Sequence, residues 1–199
     1  MMNSYVTVAI SETWPRNFKI ILYDLKLHLF QEREVNYEDF FDEQKRTVWD
    51  LFHITEWDGR KGVLKGKLET ERLLAIFRKH TIAANNFLRT QSPDRYAIVK
   101  VDQIQEIHMP EWSEGRSQLK QRITFVSKGE LIRSQLNKDY RWIEYWKNID
   151  ESLWEQKCST WKEFLNESSN SVYVIYYKHF YGNKTQKWLV GFHCFKKGE

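Results

Sequence analysis

Cysteine, proline and glycine are all scarce, at two, three and eight residues in a chain of 199. The two cysteines, Cys158 and Cys194, form no CxxC pair and join no Cys/His cluster at zinc spacing. Reduced thiols in a cytoplasmic protein are therefore expected, with no disulfide framework. There is no repeat, no low-complexity segment and no linker that forces two domains, so a single domain over 1–199 is expected. No apolar run approaches the ~18 residues that a spanning helix needs. The opening MMNSYVTVAISETWPR has neither a basic start nor a long apolar core, so neither a signal peptide nor a membrane partner is expected.

Catalytic signatures are missing as well. GxxxxGK[ST], GxGxxG and GxSxG do not occur. Gly59-Arg60-Lys61-Gly62 is basic and glycine-flanked, but it sits in a hairpin turn and opens no helix. His28, His53, His80, His108, His179 and His193 are scattered, with no HxH and no pair at helical metal spacing. Arg72, Arg78 and His80 lack the spacing of a helical Arg/His ribonuclease motif and read as helix-end charge. Hence no enzyme, no cofactor, no metal and no catalytic residue are expected. A small metal-independent RNase using His179, His193 and Lys178 stands as the enzyme alternative.

Aromatics, by contrast, are abundant: nine Trp, ten Tyr and twelve Phe. They suit a strand-rich core and also a partner surface. The net charge of +4 is modest, but it is unevenly spread. Gln31 to Asp58 holds nine acids and three bases, whereas Lys178 to Glu199 holds five lysines and one acid. Such polarity fits a subunit meeting different partners at different edges.

Alternation and turn signals predict an α+β, mainly β fold: an antiparallel sheet of short strands with one or two helices. Residues 1–45 would supply N-terminal strands and an acidic segment, and 46–199 the rest. Strands are expected at Tyr5–Ile10, Phe18–Phe30, Arg95–Val101, Leu119–Val126, Glu130–Leu136 and Tyr140–Trp146. Gln31–Lys45 reads as irregular or an exposed edge, and Asn85–Asp94 as a loop. A hairpin is expected over Thr47–Glu69, turning at Asp58-Gly59. Thr70–His80 has helical spacing, and Ile149–Phe164 fits either a helix or a strand pair. Val172–Phe180 and Lys187–Phe195 predict a closing hairpin in the sheet centre, turning at Gly182-Asn183.

Gly115 to Lys147 carries eight bases against three acids and interleaves them with aromatics. Arg116, Lys120, Arg122, Lys128, Arg133, Arg141 and Trp142 are the candidate RNA- or partner-binding residues. Cations would hold phosphates and exposed rings would stack on bases.

Three segments carry a family resemblance. They are His53 to Leu68 (HITEWDGRKGVLKGKL), Gln118 to Arg133 (QLKQRITFVSKGELIR) and Tyr176 to Phe195 (YYKHFYGNKTQKWLVGFHCF). In this order they resemble a small accessory subunit of type III-D CRISPR effector complexes, over about residues 48–199. The resemblance implies a noncatalytic structural subunit of an antiviral RNA-guided ribonucleoprotein. Its implied partners are the backbone subunits and the large polymerase-like subunit, with crRNA close by. An adaptor that binds protein and no RNA is the remaining alternative.

Overall fold

In the computed structural model, residues 5–13, 17–36, 56–57, 64–65, 70–89 and 92–196 are described. The chain divides into two compact units, 1–76 and 77–199. In the first, β1 (Tyr5–Thr13), β2 (Asn17–Asp24) and β3 (Leu29–Asn36) form an antiparallel sheet in that order. Val6 to Ser11 are all buried, so β1 is covered on both faces. Short strands β4 (Glu56–Trp57) and β5 (Leu64–Lys65) pair antiparallel, as the expected hairpin requires. Its turn, along with 14–16 and 37–55, lies outside the described residues.

The single strand expected over Phe18–Phe30 is in fact two strands and a turn. Asp24 breaks it: its carboxylate accepts the Lys26 and Leu27 amides at 2.8 and 2.9 Å, offering the backbone an alternative to the ladder. His28 then takes a left-handed φ of 56°. Leu27 and Leu29, which an unbroken strand would set on one face with buried Ile21 and Tyr23, are 57% and 58% exposed. Gln31 to Asn36 lie in β3, an edge strand.

Helix α1 (Thr70–His80) has the bounds its sequence spacing indicates, and Arg78, Lys79 and His80 fill its last turn, where the helix dipole favours positive charge. In the second unit, β6 (Tyr96–Val101), β7 (Gln103–Ile107), β8 (Glu111–Trp112), β9 (Leu119–Ser127), β10 (Glu130–Asn137), β11 (Asn170–Tyr181) and β12 (Lys184–Lys196) make one sheet. Its order is β6-β11-β12-β10-β9-β7, with β8 also on β9. The closing hairpin β11–β12 is central, as its apolar faces require. The sheet is mixed, however, because β10 and β12 run parallel where Asn137 meets Leu189. A parallel neighbour needs a long connection, and residues 138–183 supply it.

Helices and strand β11 share that connection, and in its helical part the sequence reading needs its largest correction. Tyr140–Trp146 is no strand; it lies in helix α3 (Tyr140–Lys147). Asp139 caps it by accepting the Arg141 amide at 2.9 Å. Trp142 and Trp146, one helical turn apart, both point into the core. Ile149–Phe164 resolves into a 3-10 turn (Glu151–Leu153) and helix α4 (Trp154–Leu165). Part of the expected 85–94 loop is a short helix, α2 (Ala84–Leu88). Four α-helices are thus present among the described residues, where one or two were expected. The fold remains α+β and mainly β.

The core joins Phe87, Trp142, Trp146, Trp154 and Leu165 from the helices to Val99, Ile123, Phe125, Val174 and Phe192 from the sheet. Edge strand β7 is blunted by Asn166, whose amide accepts the Ile104 N–H at 2.8 Å and donates to its carbonyl at 2.9 Å. Asn166→Ala is expected to cost about 1–2 kcal/mol. Hydrogen exchange should register it as a selective loss of protection at the Ile104 amide.

Candidate nucleic-acid interface

The structure scatters the seven residues singled out from sequence. Arg116 is exposed in a 3-10 turn, 4.0 Å from Glu151. Lys120 sits on β9 opposite Glu111. Exposed Lys128 occupies the β9–β10 turn with φ 49°, its amide bonded to Asp102. Exposed Arg133 lies on β10. Arg141 and Trp142 belong to the interior framework. Arg141 donates to both carboxylate oxygens of Asp139 and to the Phe192 carbonyl. Trp142 is 5% exposed, packs against Trp146, Trp161 and Phe192, and donates its indole N–H to Gln121 at 2.7 Å. It offers no face to a base.

Arg122 has a structural partner too. A bulge interrupts the β9–β10 register between Ile132 and Gln135, with Ser134 at φ 48°. Arg122 donates to the Ser134 carbonyl at 3.1 Å, and the Thr124 hydroxyl oxygen accepts the Ser134 amide at 2.9 Å. His108 lies 2.9 Å from that hydroxyl and 3.3 Å from Glu106. The line Glu106–His108–Thr124 has the order of an orienter, a base and a hydroxyl. Thr124 is buried, and its oxygen is committed to the bulge amide. The line thus fixes the bulge in place.

A second arrangement crosses the closing hairpin. The Trp188 indole stacks on the His179 imidazole, with centroids 4.4 Å apart and planes at 13°. The Lys138 ammonium lies 3.5 Å from the Trp188 centroid. Both groups cannot share one face at these distances, so the indole is sandwiched between a cation and a ring. Beyond His179, the Tyr177 ring follows at 6.3 Å, and Tyr96 packs on Tyr177 at 5.6 Å. The Arg95 guanidinium lies 5.5 Å from the Tyr177 ring and 5.8 Å from that of Phe180. Arg95 also donates to the Tyr177 hydroxyl at 3.0 Å. The result is a ladder of cations and aromatics running from β6 across β11 and β12 to the end of β10. Arg95 is exposed, and His179, Trp188 and Lys138 are half-buried. Phe180, next to His179 on β11, falls on the opposite face of the hairpin and is 57% exposed. Burial holds the Lys138 ammonium below the usual lysine pKa. Asp94 is the exposed acid beside Arg95 in the chain.

Most of the ladder was missed in the sequence, although the signal was there. A two-residue turn at Gly182-Asn183 fixes the register, pairing Tyr177 with Trp188 and His179 with Gln186. Counting outward from the turn brings Trp188 and His179 to one face.

The same register separates His179 from His193, which lies opposite Tyr173 and packs on Phe77 and Phe195. Six strand steps, about 20 Å, separate Tyr173 from His179. Lys178 is buried and donates to the Ser92 carbonyl, so this trio does not converge. Cys158 and Cys194 are unbridged, and burial pushes both thiols up to about 11. A polar cleft of about 280 Å³ is lined by Lys100, Asp102, Asn166 and Glu167 among others. Among the described residues, no group of three His, Cys, Asp or Glu side chains could hold a metal, and no helix is long and apolar enough to cross a membrane. No protein-family model matches the chain, and no curated protein matches it.

Proposed function

We propose that the chain is a noncatalytic subunit of a type III CRISPR RNA-guided effector ribonucleoprotein in the cytoplasm. It packs against the backbone subunits and the large polymerase-like subunit, and it contacts crRNA. The observation that carries this reading is the cation–aromatic ladder on a partly exposed sheet face. Rings and cations in alternation suit a polyanion whose bases can stack. The three sequence segments that resemble type III-D accessory subunits point to the same assembly. The uneven charge along the chain adds a reason for more than one partner.

The experiment is a tagged pull-down from the native host, with mass spectrometry and RNA sequencing of the eluate. Effector subunits accompanied by one guide-RNA population are the expected recovery. An eluate with neither effector subunits nor RNA would defeat the proposal.

A further inference from the structure

We propose that the edge of β12 near its turn, Lys184 to Trp188, docks an extended acidic segment of a partner protein as an added strand. The inference takes from the effector-subunit reading only that the chain packs on protein partners. Among the described residues, β10 pairs with β12 at Asn137–Leu189 alone. Back toward the turn, β10 is bent by the bulge at Ser134, which Thr124 and Arg122 hold in place. Two bonds give the direction of the backbone groups. The Lys178 amide donates to the Arg95 carbonyl at 2.9 Å, away from β12, so Lys178 and Lys187 face each other without ladder bonds between them. The Leu189 carbonyl accepts the Lys138 amide at 2.7 Å, on the side away from β11. Thr185, two residues from Lys187 and opposite Phe180, therefore turns its amide and carbonyl to that same side. No strand lies beside it there among the described residues. Lys184, Thr185 and Gln186 are all exposed.

The outer edges of the same sheet are closed. On β6 the Ile98 carbonyl accepts the Ile82 amide at 2.8 Å and the Lys100 carbonyl accepts the Ser127 hydroxyl at 2.7 Å, while Asn166 blunts β7. The chemistry of an edge favours a protein strand over RNA. It offers donors and acceptors in alternation, and an extended peptide answers both, whereas phosphate oxygens only accept. Charge then selects the strand. Lys184 and Lys187 lie on this part of β12, Lys138 follows the pairing point, and exposed Arg133 lies on β10. Glu130, the acid at the start of β10, accepts from Asn85. Edge lysines repel a basic strand, and a second copy of the chain would bring the same lysines against them. An acidic strand turns that repulsion into attraction.

The test is fluorescence anisotropy on the full chain with a labelled octapeptide of alternating glutamate and valine, across a salt series. Wild type is expected to bind it, less tightly as salt rises, and to ignore the lysine–valine counterpart. Methylating alternate amides of the peptide should abolish binding, because it removes edge donors and keeps the charge. Thr185→Pro removes one outward-facing donor and no ladder bond of the hairpin. It should weaken peptide binding about 2- to 10-fold, the range for one main-chain hydrogen bond. Hydrogen exchange should show the rest of the hairpin as protected as in wild type. If Thr185→Pro unfolds, the double variant Lys184→Glu, Arg133→Glu carries the test, because both side chains are exposed. It should reverse the preference toward the lysine peptide.

Failure of wild type to bind the glutamate peptide would overturn the site. Equal binding of the methylated peptide, wild-type affinity in folded Thr185→Pro, or an unchanged preference in the double variant would do the same. Displacement of the peptide by oligouridine would assign the edge to RNA and also overturn it. A parallel pull-down of each variant separates the two levels. Effector subunits recovered equally by wild type and Thr185→Pro refute the edge alone. Edge-dependent peptide binding, with no effector subunits in the wild-type eluate, refutes the subunit reading alone.

Discussion

Asp139→Ala is expected to lower stability by about 3–5 kcal/mol, the scale for breaking a buried ion pair by removing one partner. Asp139 is 1% exposed. One carboxylate oxygen accepts the Arg141 amide at 2.9 Å and so caps α3. The other accepts the Phe192 amide at 2.8 Å and the Arg141 guanidinium at 3.0 Å. This one side chain therefore ties the start of α3 to β12, the strand that runs beside β10. Alanine would leave the Phe192 N–H buried without a partner and Arg141 with the Phe192 carbonyl alone among these bonds. Urea denaturation should show a fall in midpoint at unchanged slope. A loss under ~1 kcal/mol would mean that α3 is held by packing and that the Asp139 network is incidental.

Trp142→Ala comes second, at about 3–5 kcal/mol for deleting a large core ring. It removes the ring that touches Tyr145, Trp146, Trp161 and Phe192, and it orphans the side-chain carbonyl of fully buried Gln121. Trp142→Phe separates the two effects. It keeps most of the ring volume and loses the indole donor, at an expected cost of about 1–3 kcal/mol. Any effect of Trp142→Ala on RNA binding should follow its unfolding. A folded Trp142→Ala protein with weakened RNA binding would instead return this residue to the interface.

That contrast explains what the sequence could and could not reveal. The β9–β10 and β11–β12 hairpins are legible because Lys128-Gly129 and Gly182-Asn183 are turn residues, flanked by alternating strands in the first and by continuous apolar runs in the second. Helix α1 is legible because Leu73, Leu74 and Phe77 keep a helical period and all three are buried. Tyr140 to Trp146 misled because seven residues of mixed aromatic and charged character fit a period of 2 and a period of 3.6 about equally. The decisive signal was Asp139 immediately before them, which reads as a turn residue or as a helix cap. At Asp24 a similar ambiguity ran the other way, since an aspartate inside an apolar alternation can stop a strand through its own side chain.

The candidate site was legible only in part, for a related reason. Composition marked Gly115 to Lys147 as basic and aromatic, and Lys138 lies within it. Its ring partners lie some 40 to 50 positions away on the closing hairpin, where an aromatic run reads as buried. Trp188 sits at the margin of that hairpin, half-buried, between His179 and Lys138. Which aromatics are core and which are accessible depends on the β10–β12 pairing, a parallel contact that no local signal announces.

The most direct measurement is photo-crosslinking of RNA in the native particle, followed by peptide mapping of this chain. The proposal predicts crosslinks at Trp188 and on the peptide that holds Lys138. Crosslinks confined to Arg133 and Lys128, or none on this chain within an RNA-loaded effector particle, would contradict it.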